Sequence, residues 1–245
     1  MKSTRKIAMA VGALYIIALS SAMLRSVLLD SVLDAPGFLV NLSLNENSVL
    51  LGVLLLCIMA IAIPGIGIVF YPILSKQSKT LALGYIGAGF IECVLFIITV
   101  IAVLALLSLS KDYVNAGAPE YPVFQSLGIL LMAIRDWAFN ILWSTSIGLA
   151  TLILYFLLYQ SELIPRWFSI WGLLGGAAAS VGGLLSYFGV IGTLSITYNI
   201  LLLQIAIQEL VMAIWLIVRG FNPSALLTDP AQQPRSELAP SFQEK

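Results

Sequence analysis

The stretch LALGYIGAGFIECVLFIITVIAVLALLSL, Leu81 to Leu109, decides the fold. As a helix rising ~1.5 Å per residue it extends roughly 43 Å, more than the ~30 Å of hydrocarbon in a bilayer. Its single acidic or basic side chain, Glu92, stands near the middle and is therefore expected deep in lipid. Carboxylates at that depth are rare and face a bundle interior, a partner or a water-filled cavity, which makes Glu92 the first candidate functional residue.

The whole chain shares this character. Its 245 residues are 60% hydrophobic and 10% charged, with a mean hydropathy of +1.01, against ~45–50% and ~25% in soluble domains. An all-α polytopic membrane bundle follows, with the lipid bilayer as the partner its surface requires. Twelve basic residues balance twelve acidic ones, so no charge excess recruits nucleic acid. The absence of histidine removes imidazole metal sites and any Ser-His-Asp or Cys-His relay. Cys57 and Cys93 lie far apart in apolar runs, leaving no redox pair or disulfide framework. All lysines fall outside the apolar runs, so a retinal-type Schiff base has no amine. No catalytic residue, metal site or cofactor is expected, and the chain does not read as an enzyme.

Upstream of Leu81, Lys76 and Lys79 mark a basic link. Before it, Val49 to Tyr71 forms a span in which Pro64-Gly65 and Gly67 predict a kink. Asp30 to Ser48 is polar, acidic and free of lysine and arginine, which assigns it to the non-cytoplasmic side. Ile7 to Leu29 admits two readings, a signal peptide ending near Ser20-Ser21-Ala22 or a retained first span. Apolar character resumes through Val27-Leu28-Leu29, and this favours the retained span.

Downstream, Val123 to Tyr159 is roughly 55 Å as one helix, too long for one crossing and too short for two with a turn. The reading adopted is an extra helix, Phe124 to Ile134, along the outer interface, a corner at Arg135-Asp136, and a fourth span over Trp137 to Tyr159. Trp167 to Phe188 carries Gly172, Gly176 and Gly183, spacings that let another helix approach closely, within the chain or in a homo-oligomer or membrane-protein partner. Ile200 to Val218 contains Gln204, Gln208 and Glu209. Six spans result, about 7–29, 49–71, 81–109, 137–159, 167–188 and 200–218, making a transmembrane domain over 1–219. The proline-containing tail, 220–245, is expected to be disordered. Basic residues divide nine to three between the two sides, which puts both termini in the cytoplasm by the positive-inside rule.

Counted from the cytoplasmic ends, Glu92 and Glu209 both lie roughly 15 to 17 Å deep, near the midplane. Desolvation opposes a charged carboxyl, so an unpaired midplane glutamate is expected neutral and an arginine-paired one ionised. Arg25 and Arg135 are the available cations, both nearer the outer face. Arg25 either snorkels or turns inward to a carboxylate. Arg135-Asp136 reads as an anchor for a helix end. Gln204 and Gln208, one turn apart, form with Glu209 a polar strip that serves either as interhelical hydrogen-bonded glue or as a path for a solute or proton.

Several strings carry a resemblance. Asn45-Glu46-Asn47 leads into Val49-Leu50-Leu51-Gly52, and Leu81-Ala82-Leu83-Gly84-Tyr85 is followed by Glu92. Arg135-Asp136-Trp137-Ala138-Phe139, Ile164-Pro165-Arg166-Trp167 and Gln208-Glu209 through Trp215 to Pro223 complete the set. Together, over about residues 5 to 225, they resemble a bacterial integral-membrane family known as domain of unknown function 4386. The resemblance implies a multi-pass protein of the bacterial inner membrane that retains its first helix, and it implies no substrate, cofactor or activity. That family's pattern commonly has an arginine one turn before the third-helix glutamate, where this chain has Gly89; either Arg25 substitutes or Glu92 is neutral.

The functional expectation is a small transporter or receptor for a small or lipophilic solute, proton-linked through the buried glutamates. Behind it stands a non-catalytic membrane scaffold or regulatory partner held through the glycine-rich fifth helix and the tail. An intramembrane enzyme comes third, because no nucleophile, base and orienting group stand together.

Overall fold

The computed structural model describes residues 2–118, 121–193 and 195–227, and among them it is built of helices and short turns with no strand. Helix α1 (Lys2–Arg25) continues through a π-helical turn, Ser26–Asp30, into the short α2 (Ser31–Leu33). After α3 (Phe38–Leu44) come the long α4 (Glu46–Leu74) and α5 (Lys79–Asn115). Helix α6 (Pro122–Asp136) passes through a second π-helical turn, Trp137–Leu142, into α7 (Trp143–Ser161). Then follow α8 (Arg166–Tyr187), α9 (Ile196–Val218) and the single turn α10 (Pro223–Leu227). Six helical runs are long and apolar enough to cross a bilayer: Thr4–Leu33, Glu46–Leu74, Lys79–Asn115, Pro122–Ser161, Arg166–Tyr187 and Ile196–Val218. This is a multi-pass membrane protein. Its exterior carries side chains such as Ile61 and Ile101, exposed by 76% and 62%, an arrangement that lipid tails solvate and water does not.

The six runs close into a ring. Helix α1 packs on α4, α4 on α5, α5 on α7, α7 on α8, α8 on α9, and α9 returns to α1. Local chemistry fixes the ends. Ser78 caps α5 by accepting from the Leu81 N–H at 3.3 Å, and Ser195 caps α9 by accepting from Tyr198 at 3.2 Å. Arg5 donates to the terminal carbonyls of α9, Leu216 O at 3.1 Å and Val218 O at 3.2 Å, meeting acceptors that a helix end leaves open. At that contact a Cβ on Gly12 would sit 2.8 Å from Ala213 O. This end, with Arg5, Lys76, Lys79, Arg166 and Arg219, is the basic end of the ring.

Two apolar clusters fill the ring. One, around Phe70, Leu157, Phe168 and Met212, occupies the basic end; the other, around Leu42, Leu56, Phe96 and Val103, occupies the opposite end. Between them lies the level of Glu92 and Glu209.

Two expectations are revised. The corner at Arg135-Asp136 is absent: the chain stays helical from Pro122 to Ser161, a 40-residue run, because a π-helical turn absorbs the change of register that a break would otherwise supply. The segment expected at the interface is thus the outer extension of the fourth span, held by Gly128 against Phe38. Helix α4 runs unbroken through Pro64 and Pro72, and α5 lies close beside this stretch, with Ile86 against Gly67 and Gly89 against Pro64. Of the tail expected to be disordered, Pro223–Leu227 forms a helical turn; the remainder, 228–245, lies outside the described residues.

Candidate functional site

A cavity of about 40 Å³ lies between the two apolar clusters, and Tyr15, Tyr85, Glu92, Tyr155, Gln208 and Glu209 contribute its polar wall. Four helices of the ring supply them. On α5, Tyr85, Gly89 and Glu92 fall at i, i+4 and i+7 and so share one helical face. Glycine at 89 lets that face meet α4, where its Cβ would stand 3.3 Å from the Cα of Pro64. An arginine at this position would have to displace the α4 backbone.

Glu92 is 1% exposed, and its Oε2 accepts from the indole N–H of Trp143 at 3.0 Å. Tyr15 and Tyr85 hydroxyls pair at 3.2 Å across the cavity wall. Gln208 is 1% exposed, and neither its amide oxygen nor its nitrogen has a partner. Leaving such an amide unmet typically costs ~1–3 kcal/mol. Glu209, partly accessible, has no ion-pair partner among the described residues.

Glu209 also borders a second cavity of about 190 Å³, lying toward the end opposite the basic one. Its walls come from α1 with Ala18 to Arg25, α4 with Met59 and Ile63, the Phe139 to Ile147 stretch, and α9 with Leu202 to Glu209. The two cavities share Ala18, Ile63, Ile147, Ile205 and Glu209.

The arginines do not reach the glutamates. Arg25, 6% exposed, pairs with Asp30 at 2.7 Å, and Arg135, 5% exposed, takes the same Asp30 oxygen at 2.6 Å. Arg135 also pairs with Asp136 at 2.7 Å and Asp34 at 3.6 Å, while Asn140 donates to Asp136 at 3.2 Å. Five residues separate Arg25 from Asp30; the i to i+5 register of the π-helical turn between them brings the two side chains together. Asp34 lies beyond the membrane-spanning run. Burial raises its carboxyl above the ordinary range, against the pull of Arg135. An aromatic column joins this ion network to Glu92: the Arg25 guanidinium lies 4.1 Å from the Phe139 ring centre, and Phe139 stacks on Trp143 at 5.5 Å. The alternative in which Arg25 partners Glu92 is therefore excluded by the structure. Among the described residues Glu92 has an indole donor and no ion-pair partner.

Gln204 also parts from its neighbours. Its amide lies against Gly175 of α8, with Oε1 unpartnered, outside both cavities. The glycines of α8 act inside the chain. A Cβ at Gly172 would overlap the Tyr155 ring, one at Gly176 would lie 3.0 Å from Gly148 O, and one at Gly183 would overlap Thr145. The face they form is occupied by α7 and is not free to hold a second chain.

Sequence reasoning missed Asp30 and Asp34 as the arginines' partners, Trp143 as the donor to Glu92, and the three tyrosines. The spacing of Tyr85 two turns before Glu92 was a legible signal for one of them.

A family model described as Domain of unknown function (DUF4386) matches residues 10–220. No curated protein and no solved structure matches the chain.

Proposed function

The chain belongs to the family of domain of unknown function 4386, and from its geometry we propose that it is a proton-linked carrier for a small, lipophilic solute in the bacterial inner membrane. The carrying observation is that Glu92, Glu209 and Gln208 line one cavity, with no ion-pair partner for either carboxyl among the described residues. Size divides the roles. At ~10–15 Å³ per water, the 40 Å³ cavity holds about three or four waters, far short of the ~300–1,000 Å³ of ordinary ligand pockets. It suits protons, carried by carboxyls, tyrosine hydroxyls and water. Solute belongs to the 190 Å³ cavity, with Glu209 common to both. By the positive-inside rule the basic end faces the cytoplasm.

Proton binding is testable before any solute is identified. In proteoliposomes adsorbed on a solid-supported membrane, a pH jump is expected to give a transient charge movement. The Glu92→Gln, Glu209→Gln double variant, monodisperse like the wild type, is expected to lose about nine-tenths of it; an undiminished transient in that variant would refute the proposal. A second readout isolates Glu92. The Trp143 emission, taken as the difference between wild type and Trp143→Phe, is expected to titrate with pH and to become flat in Glu92→Gln, because the indole donates to that carboxyl. A titration unchanged by Glu92→Gln would remove Glu92 from the proton path.

A further inference from the structure

The 190 Å³ cavity is bounded by charged groups whose pairing differs. At its outer end Arg25 is met by Asp30. The network there sums two arginines, Arg25 and Arg135, against three carboxylates, Asp30, Asp34 and Asp136. That end therefore carries no surplus positive charge to attract an anion. At the inner end Glu209 has no counter-ion among the described residues. Between the ends the wall is apolar and aromatic, with Met59, Phe139, Trp143 and Ile205.

We infer that this cavity binds a small aromatic amine, its ammonium on Glu209 and its ring between the Phe139, Trp143 side and α9. The inference rests on the proton-linked reading above and names its solute class. Four observations select the class. When ionised, the Glu209 carboxylate lacks a counter-charge, and an ammonium supplies one. Aromatic walls suit an aryl ring and its ammonium. The volume slightly exceeds the ~150 Å³ of an apolar cavity that accepts benzene, so it fits one ring with a short chain. From Ala18 to Arg25 the α1 wall rises about 10 Å, the scale of a phenethylamine along its length.

The carboxyl of Glu209 accepts either a proton or the ammonium, so loading one expels the other, and uptake on one face is exchanged for a proton on the other. No covalent bond changes. Groups facing Glu209 across the two cavities are Tyr15 and Arg25 from α1, Tyr85 and Glu92 from α5, and Tyr155 from α7. The α4 wall contributes apolar side chains, and α8 lines neither cavity.

The test uses full-length protein in nanodiscs and tritiated tyramine as probe. Tyramine is expected to bind saturably, and 4-hydroxyphenylacetate, its anionic counterpart, to fail to displace it. Glu209→Gln is expected to weaken binding at least tenfold, and Ala206→Phe, which fills the cavity without touching a carboxyl, to abolish it. Both variants are to match the wild type in gel-filtration profile and thermal midpoint as evidence of folding. Below about pH 8, where the alkylammonium stays protonated, affinity is expected to fall as pH falls, because protons compete. Displacement by the anion, binding unchanged in Glu209→Gln or Ala206→Phe, or no saturable binding at millimolar tyramine would each overturn the inference. If tyramine fails while the pH-jump transient persists, the solute class falls and the proton reading stands; loss of both removes the two together.

Discussion

Asp30→Asn protein is expected to unfold about 3–5 kcal/mol more readily than wild type, the range measured when one partner of a buried ion pair is removed. Both arginines share a single oxygen of Asp30, at 2.7 and 2.6 Å, and their side chains are only 7% and 6% exposed. An amide there offers no negative charge. Arg135 keeps Asp136 and Asp34, whereas Arg25 is left with the face of Phe139. The loss therefore belongs mainly to Arg25, and a double variant tests this: Arg25→Met with Asp30→Asn is expected to recover at least half the deficit, because no charge is stranded. Thermal or SDS-titrated unfolding in mixed micelles measures both. An Asp30→Asn loss under about 1 kcal/mol would mean that the network behaves as an exposed surface pair, contrary to its burial.

Gly148→Leu is expected to prevent folding to a monodisperse species. A Cβ at Gly148 would overlap the Ser180 hydroxyl and stand 2.6 Å from Ser180 N and 2.9 Å from Gly176 O. Two of these are backbone atoms, which have no rotamer to give way. Overpacking typically costs ~1–3 kcal/mol where side chains can shift, so a backbone clash lies at or beyond the upper end. Lipid tails supply no hydrophobic force to hold separated helices together, so α7 and α8 would part. Gly87→Leu is the control. That position is exposed with nothing within 4 Å of an added Cβ, and leucine is favoured over glycine in a helix by up to ~1 kcal/mol. Gel-filtration profile and thermal midpoint separate the two variants; equal behaviour would show that α7 and α8 are not in close contact at Gly148.

The spanning helices were legible in the sequence because hydrocarbon forces every backbone polar group into internal hydrogen bonds, and a long apolar run can do that only as a helix. Depth counting alone put Glu92 and Glu209 at one level. What escaped has physical causes. Asp30 and Asp34 read as connection because α-helical spacing sets Arg25 and Asp30 on different faces, and only the π-helical register aligns them. Tyr15, Tyr85 and Tyr155 vanish into apolar runs, since a phenol contributes mostly ring surface. Trp143 gives no sequence signal for Glu92, which lies 51 residues away. The expected corner at Arg135 came from treating hydrocarbon thickness as the limit on helix length, whereas α5 and the Pro122–Ser161 run both extend past it.

The turn at Trp137–Leu142 also settles an angular account. Eight residues separate Arg135 from Trp143, and at 100° each an α-helix would put them about 80° apart. A π-helical turn accommodates one surplus residue, so the interval counts as seven and the two side chains come within about 20° of each other. Only then do Arg135 and Trp143 point to the same interior, one to Asp30 and the other to Glu92. Rewound to ordinary pitch, the rod would swing one of them toward the lipid, so a single supernumerary amino acid keeps the salt-bridged rim and the midplane acid in phase.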